Sequence, residues 1–139
     1  MDNSMIEQGK GIMTRLEELQ VVLSGARKKE ADAKIKFERA KDDLAKVGRD
    51  LTLALSPRLE GATDPKTGKP NKDWAMFLLD QLMENEPEYV NAQAQYYHAQ
   101  EDLHHIQVEV IDLSDQLGIL KSRGAIWRGL VRLLTNEEE

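Results

Sequence analysis

A chain of 139 residues with 32% charged and only 5% aromatic side chains can form one domain but offers little apolar material for a broad globular core. The sequence has no cysteine, which excludes disulfides and thiolate chemistry, and its longest apolar runs are too short to span a membrane. The first residues also lack the basic-then-apolar pattern of a signal peptide. We therefore expect a cytoplasmic protein with no membrane partner.

The net charge of −6 conceals a strong segregation of charge along the chain. Arg27 to Arg49 holds nine basic and five acidic residues, Arg58 to Lys72 holds four and two, and Lys121 to Arg132 holds four and none. Asp73 to Gln116 holds ten acidic residues and no lysine or arginine. Such a chain can carry an anion-binding surface despite its acidic total, although the same charges could serve only solubility and helix pairing.

The first predicted element is a long helix over residues 5–55. Pro57 should end or bend it, because proline lacks the backbone N–H that a helix needs. Residues 56–73 have no apolar period and contain three prolines and two glycines, which predicts a loop or a short β-ribbon. We name this segment the basic loop.

A short helix and a second long helix follow the basic loop. Asp73 is the expected cap of a helix over 74–84, where apolar residues recur at helical spacing. The proline-containing stretch Asn85 to Glu88 separates it from a long helix over 87–134. The sequence thus predicts a single helical domain over 1–139.

Each long helix carries a hydrophobic stripe, in which apolar or small residues recur at alternating steps of four and three. One helix cannot bury such a stripe alone, so the two stripes should pack together. In the first helix the stripe is interrupted only by Glu30, and it comprises Ile12, Leu16, Leu19, Leu23, Ala26, Ala33, Phe37, Ala40, Leu44, Val47, Leu51 and Ala54. In the last helix the stripe comprises Ala92, Tyr96, Ala99, Leu103, Ile106, Val110, Leu113, Leu117, Leu120, Gly124, Trp127, Val131 and Leu134.

The two stripes also predict how the helices pair. An antiparallel hairpin pairs residues whose numbers add to a constant, and a constant of 136 sets large residues opposite small ones. It places Gly9 opposite Trp127 and Ala40 opposite Tyr96. The predicted fold is therefore all-α, a long antiparallel helical hairpin with a short third helix, coiled-coil-like and oligomeric.

Two kinds of chemistry find little support in the sequence. Glu101 and His104 have the spacing found in helical di-iron sites, and His98, Asp102 and His105 share one helix face. These residues lie outside the hydrophobic stripe, so a metal would need a second copy of the chain to complete its ligand shell. No arrangement of serine, histidine and acid suggests a catalytic triad. We expect a protein that is not an enzyme and has no cofactor.

The basic loop is a better candidate for a binding site. Its cations are Arg58, Lys66, Lys69 and Lys72, which a loop does not need for its own folding. Such groups bind phosphate backbones largely without regard to sequence. Trp74, with Tyr96 and Tyr97, could offer a face on which the bases of a single strand stack, although Trp74 could equally serve to pack its own helix.

The order of elements and the stretch Lys121-Ser122-Arg123-Gly124-Ala125-Ile126 resemble the UvsY-type recombination mediators of tailed phages. The resemblance covers about a quarter of the chain and does not extend to the first helix or the basic loop. It implies a ring-forming homo-oligomer, in the host cell cytoplasm, that binds single-stranded DNA and helps load a recombinase in place of a single-strand-binding protein. It adds Lys121 and Arg123 to the candidate DNA contacts.

The C-terminal segment is the expected oligomer contact, because it holds too many apolar groups for a solvated helix end. Its predicted contact residues are Trp127, Leu130, Val131 and Leu134.

The sequence thus favours a recombination accessory protein that binds single-stranded DNA. Two alternatives stay open, a structural or adaptor coiled coil in phage assembly and a helical metal-binding oligomer.

Overall fold

The computed structural model describes residues 3–59 and 62–138, with side chains described up to residue 136. The described residues form three helices, α1 at Asn3–Leu59, α2 at Lys72–Glu84 and α3 at Pro87–Glu138. The prediction of an all-α protein with long first and last helices and a short one between them is confirmed. None of the described helices combines the length and the apolarity that crossing a bilayer requires.

Helix α1 continues beyond the end that the sequence predicted. Pro57 lies inside its last turn, where its missing N–H removes one helical hydrogen bond, and the helix ends at Leu59. In the turn before, the Ser56 hydroxyl donates to the carbonyl of Thr52 at 2.6 Å. Helix α1 thus continues for two residues beyond Pro57. Glu60 and Gly61 of the predicted loop lie outside the described residues.

Helix α2 starts two residues before the predicted start, because its cap is Asn71 and not Asp73. The side-chain oxygen of Asn71 accepts hydrogen bonds from the backbone N–H groups of Asp73, at 2.9 Å, and Trp74, at 3.3 Å. This is the usual arrangement at a helix N-terminus, where the first N–H groups have no partner within the helix. Asp73 lies in the first turn, where its negative charge is favoured by the helix dipole.

The chain divides into two compact units. Unit 1 consists of Met1–Asp32 and His104–Glu139, and unit 2 consists of Ala33–Leu103. Both long helices thus contribute to both units. The predicted single domain over 1–139 stays a prediction.

Unit 1 has a core built from the two hydrophobic stripes. Leu19, Leu23 and Leu117 are buried, with 3%, 4% and 8% of their surfaces exposed. The half-buried residues packed against this cluster are Leu16, Val110, Leu113 and Leu120. All seven residues are predicted stripe positions, so the sequence located this core.

The contacts in unit 1 agree with the predicted pairing. A Cβ on Gly9 would overlap the indole of Trp127, and a Cβ on Gly124 would lie 3.6 Å from Ile12. Both pairs of numbers add to 136, and the partner's number falls as the residue number rises. The segments of α1 and α3 in unit 1 are therefore antiparallel and have the predicted register.

Unit 2 is also built on an antiparallel pair of segments. The rings of Phe37 and Tyr96 lie 5.4 Å apart, and a Cβ on Gly48 would lie 3.8 Å from both Tyr89 and Met83. Here α2 adds a third layer, since Met83 belongs to it. The Thr52 hydroxyl lies 3.8 Å from the Met83 sulfur.

This third layer explains the one error in the predicted stripes. Ala54 is exposed, whereas Leu55 is buried with 4% of its surface exposed. Near its end α1 buries Leu55 in step with Gly48 and Thr52, and these two residues contact α2. The predicted pairing of α1 with α3 gave no indication that the buried side of α1 changes near its end. The remaining stripe positions of both helices are buried or half-buried.

Candidate nucleic-acid interface

The basic loop is held in a defined conformation by Asp64. The Asp64 N–H donates to the carbonyl of Lys69 at 2.9 Å, and its own carbonyl accepts from Gly68 N–H at 2.7 Å. The Asp64 carboxylate accepts from the backbone N–H of Lys66 at 2.9 Å. Gly68 has a φ of 66°, a conformation that favours glycine. These hydrogen bonds close a tight turn that carries Lys66 and Lys69, which we name the Asp64 turn.

The two sides of this turn are joined at its base. Thr63 and Pro70 form an isolated antiparallel bridge, the only β-type pairing in the described part of the chain. The Asn71 N–H donates to the carbonyl of Ala62 at 3.4 Å just beyond it. Asn71 is also the cap of α2, so the turn is anchored directly on that helix. The described residues therefore contain this single bridge in place of the anticipated short β-ribbon.

The four predicted cations of the basic loop are all exposed and lie in unit 2. Lys66 and Lys69 share the Asp64 turn, Lys72 is the first residue of α2, and Arg58 lies in the last turn of α1. The turn therefore brings together the backbones of two of these four cations, Lys66 and Lys69. Arg58 of α1 and Lys72 of α2 flank this turn along the sequence.

The aromatic residues beside the loop divide into packing and exposed groups. Trp74 is half-buried and its ring lies 5.4 Å from that of Phe77, one turn further along α2. Tyr96 is also half-buried, and its ring lies 5.4 Å from that of Phe37 and 5.5 Å from that of Tyr97. Tyr97 is 60% exposed. Of the three predicted stacking residues, Tyr97 is exposed, and Trp74 and Tyr96 are half-buried.

The second predicted cation pair lies in unit 1. Lys121 and Arg123 are both exposed on α3, and Arg123 lines a shallow groove with Arg15 of α1. Arg15 lies 3.4 Å from the carboxylate of Glu18 in its own helix. Gly124, which belongs to the stretch that carries the family resemblance, is buried against Ile12. The 3.6 Å between such a Cβ and Ile12 is an ordinary van der Waals distance, so packing does not require glycine at this position.

The predicted oligomer contact residues are not equally accessible. Trp127 is half-buried, and its indole N–H donates to the backbone carbonyl of Met5 at 2.7 Å. Val131 and Leu134 are half-buried stripe positions, whereas Leu130 is 48% exposed. Much of the apolar surface of this segment is therefore used within the chain. Its role in assembly stays a prediction.

The structure also identifies a cation that sequence analysis did not single out. Arg49 is exposed and lines an open groove of about 590 Å³ between α1 and α2, together with Leu53, Leu79 and Asp80. Arg49 belongs to the basic segment Arg27 to Arg49, so its charge was apparent. Its position beside α2 depends on the packing of a third helix, which the sequence did not specify.

The histidine-rich face of α3 does not form a metal site by itself. In residues 3–59 and 62–138, no group of three or more histidine, cysteine, aspartate or glutamate side chains could hold a metal ion. His98 lies 3.5 Å from Asp102 one turn away, and the rings of His104 and His105 are 6.3 Å apart. The alternative of a metal site assembled between copies of the chain stays a hypothesis.

No protein-family model matches the sequence, and comparison with characterised proteins and with solved structures finds no match either. The resemblance to UvsY-type mediators therefore rests on the order of the elements and on the stretch Lys121 to Ile126.

Proposed function

We propose that this protein is a non-enzymatic recombination accessory protein that binds single-stranded DNA. The observation that carries the proposal is the Asp64 turn, which holds Lys66 and Lys69 on one short, exposed loop anchored to α2. Lysines on an ordered turn lose less conformational freedom on binding than lysines on a mobile segment. The turn thus favours binding of a phosphate backbone.

The surroundings of the turn fit a single strand better than a duplex. Trp74 and Tyr97 belong to the same unit as the loop, with Trp74 half-buried and Tyr97 60% exposed. Bases of single strands stack on such rings without sequence readout, whereas the bases of a duplex are already stacked on each other. Lys72 and Arg58 extend the charge on either side of the turn.

A few cations bind a single strand only weakly, so the proposal includes assembly. Several copies in a homo-oligomer repeat the basic loop, and one strand that contacts many loops is held by avidity. We propose that the long helices pair as a coiled coil and that Trp127, Leu130, Val131 and Leu134 contribute to contacts between copies. Such an oligomer could then assist recombinase loading beside a single-strand-binding protein.

The test is the salt dependence of binding to a labelled single-stranded oligonucleotide. Each phosphate contact should contribute a slope of about 0.7 in the logarithmic dependence of affinity on salt. Replacing Lys66, Lys69 and Lys72 by alanine should weaken binding and flatten this slope, because all three are exposed and none lies in a hydrophobic stripe. Helicity and oligomer mass should not change.

The matched control replaces Arg27, Lys28 and Lys29 by alanine, which removes the same charge from exposed positions of α1 in unit 1. This control should retain affinity. Equal weakening by both triple variants would show general attraction and contradict a site at the loop. Loss of binding on changing Lys121 and Arg123 to alanine would instead place the site in unit 1. A wild-type protein that binds no single-stranded DNA at low salt would support the adaptor function.

A further inference from the structure

Two arginines from different helices lie in the same groove of unit 1. The groove has a volume of about 270 Å³. It is lined by Arg15, Leu19, Gln116, Ile119, Leu120 and Arg123, and we name it the arginine groove. Its floor is apolar, because Leu19 is 3% exposed and belongs to the core of the unit, with Leu120 packed against that core. Two cations thus lie beside an apolar floor.

The pairing of the two long helices explains why these arginines meet. Stripe residues that lie opposite each other in unit 1 have numbers that add to 136. Arg15 immediately precedes stripe residue Leu16, and Arg123 immediately precedes stripe residue Gly124. Both arginines therefore flank their stripes, on the side of the hairpin where the arginine groove lies. Side chains of a helix lean toward its N-terminus, so in an antiparallel pair these two lean toward each other.

This layer of the hairpin sets like charges against each other. The corresponding positions two heptads away on the two helices are Lys29 and Glu109, which have opposite signs. Opposite charges at positions that flank a hydrophobic stripe favour the pairing of two helices, and like charges oppose it. Arg15 and Arg123 therefore weaken the pairing of α1 and α3, whereas an acidic residue at either position would strengthen it.

Acidic side chains compensate these two arginines only in part. Arg15 lies 3.4 Å from the Glu18 carboxylate, but 53% and 57% of these side chains are exposed, and exposed ion pairs contribute little. Arg123 forms no hydrogen bond or ion pair with the residues that the structure describes. Glu17 lines a different groove. Among the described residues, none that lines the arginine groove is acidic, so the groove holds an excess of positive charge.

From this arrangement we propose that the arginine groove binds a phosphate group. A guanidinium presents its N–H groups as a planar fork that matches two phosphate oxygens, and such charge-assisted hydrogen bonds are strong. One phosphate between Arg15 and Arg123 accepts hydrogen bonds from both helices and offsets the repulsion between them. Gln116 offers a further donor, because its side-chain amide has two N–H groups and donates to Asp112 at 3.1 Å. The apolar floor strengthens these interactions by keeping water away from one side.

This site is separate from the basic loop, because the arginine groove belongs to unit 1 and the loop to unit 2. It gives a role to Arg15, and it does not include Lys121, which does not line the groove. The phosphate has two chemical sources, a free phosphate and the backbone of a nucleic-acid strand, and both present the same oxygens to the arginines. The site therefore does not require that the basic loop binds single-stranded DNA.

The first experiment follows thermal unfolding of the full chain by circular dichroism, with inorganic phosphate or with chloride at the same ionic strength. A ligand that binds only the folded protein raises its Tm. Phosphate at a concentration on the order of 10 mM should raise the Tm of the wild type by about 3 °C or more. Replacing Arg15 and Arg123 together by glutamine should abolish this increase.

The matched control replaces Arg27 of α1 and Arg128 of α3 by glutamine. Both arginines are exposed and belong to unit 1, and neither lines the arginine groove. The control thus removes the same charge from the same two helices, and its Tm should respond to phosphate as that of the wild type does. An equal increase in the wild type, the control and the Arg15 and Arg123 variant would be a general salt effect and would overturn the proposal.

Binding to a labelled single-stranded oligonucleotide distinguishes the two sources of the phosphate. If the groove holds the backbone of a strand, the Arg15 and Arg123 variant should bind the oligonucleotide about tenfold more weakly than the Arg27 and Arg128 control. If the groove holds a free phosphate, the two variants should bind the oligonucleotide alike, and only the Tm response to phosphate should differ. Variants that match each other in both measurements would overturn the proposal.

Charge reversal at one position tests the repulsion between the arginines. Arg123→Glu sets an acidic residue against Arg15, as Glu109 is set against Lys29 two heptads away. In low-salt buffer without phosphate this variant should unfold about 1–3 °C above the wild type, and its Tm should not respond to phosphate. An unchanged or lower Tm would contradict the repulsion on which the phosphate site depends.

Discussion

At the scale of single residues, Trp127 packs more closely on Gly9 than any side chain does on the other described glycines. The indole lies where a Cβ of residue 9 would be, and its N–H donates to the carbonyl of Met5. A buried tryptophan usually needs such a partner for its N–H group. The glycine thus has a packing role, since any larger residue would displace the ring.

We predict that Gly9→Ala destabilises unit 1 although alanine is the better helix former. The overlap with Trp127 should cost about 1–3 kcal/mol, which outweighs the gain of about 1 kcal/mol in helix propensity. Gly11→Ala is the matched control, because a Cβ there meets nothing within 4 Å. It should stabilise the protein by up to about 1 kcal/mol. Urea unfolding followed by circular dichroism measures both, and two equally stabilised variants would refute the packing role.

At the scale of elements, the end of α1 shows how a third helix changes which side is buried. Leu53 and Leu55 are two residues apart, yet Leu53 is 74% exposed and Leu55 only 4%. The burial of Leu55 coincides with the contacts that Gly48 and Thr52 make to Met83 of α2. Where α1 lies against α2, it therefore buries Leu55 and leaves Leu53 exposed.

We predict that Leu55→Ala lowers the free energy of unfolding by about 2–4 kcal/mol, because it removes a buried side chain and leaves a cavity. Leu53→Ala provides the control, since the same substitution at an exposed position of the same helix should change stability by less than about 0.5 kcal/mol. Denaturant unfolding of the two variants measures the difference. Similar losses from both would mean that Leu55 is not part of a core.

The Asp64 turn leads to a prediction that depends on the proposed function. Gly68→Ala puts a side chain on a residue with a φ of 66°, which costs about 1–2 kcal/mol and should distort the turn. Affinity for single-stranded DNA should fall although no charge is changed. Gly68→Asn is the control, because asparagine tolerates this conformation better. If both variants bind like the wild type, the conformation of the turn does not matter for binding.

At the scale of the whole molecule, unit 1 joins the two end segments of the chain and unit 2 is one continuous segment. Their cores share no residue, since Leu19, Leu23 and Leu117 belong to unit 1 and Leu55 and Met83 to unit 2. Compact units with separate cores often open with different free energies.

We predict that Leu117→Ala speeds amide hydrogen exchange in unit 1 far more than in unit 2. The lost burial should cost unit 1 about 2–4 kcal/mol, which corresponds to faster exchange by a factor of about thirty or more. Exchange measured by mass spectrometry on peptides from residues 10–30 and 40–55 would show the difference. Uniformly faster exchange in both sets of peptides would indicate a single cooperative unit instead.

The structural features at these three scales differ in how far the sequence could predict them. The stripes of α1 and α3 were predictable because burial against one partner leaves a regular period, and the pairing of Gly9 with Trp127 followed from matching large with small residues. Leu55 was not predictable, because its burial accompanies the packing of α2. The stretch Asp64-Pro65-Lys66-Thr67-Gly68 indicates a turn by its proline and glycine, but the hydrogen bonds by which Asp64 orders that turn are not apparent from the sequence. The cations were visible in the sequence, but their division between two units was not.

The discontinuity of unit 1 has a consequence for synthesis on the ribosome. Residues 33–103 are all made before the second part of unit 1 begins, so unit 2 can fold while the chain is still growing. During that time Leu19 and Leu23 have no Leu117 to pack against, and their helix carries an uncovered apolar face. The nascent chain should therefore bind chaperones through its first thirty or so residues until the part of α3 from His104 onward is made. A slow stretch of translation before Leu117 would prolong this exposure.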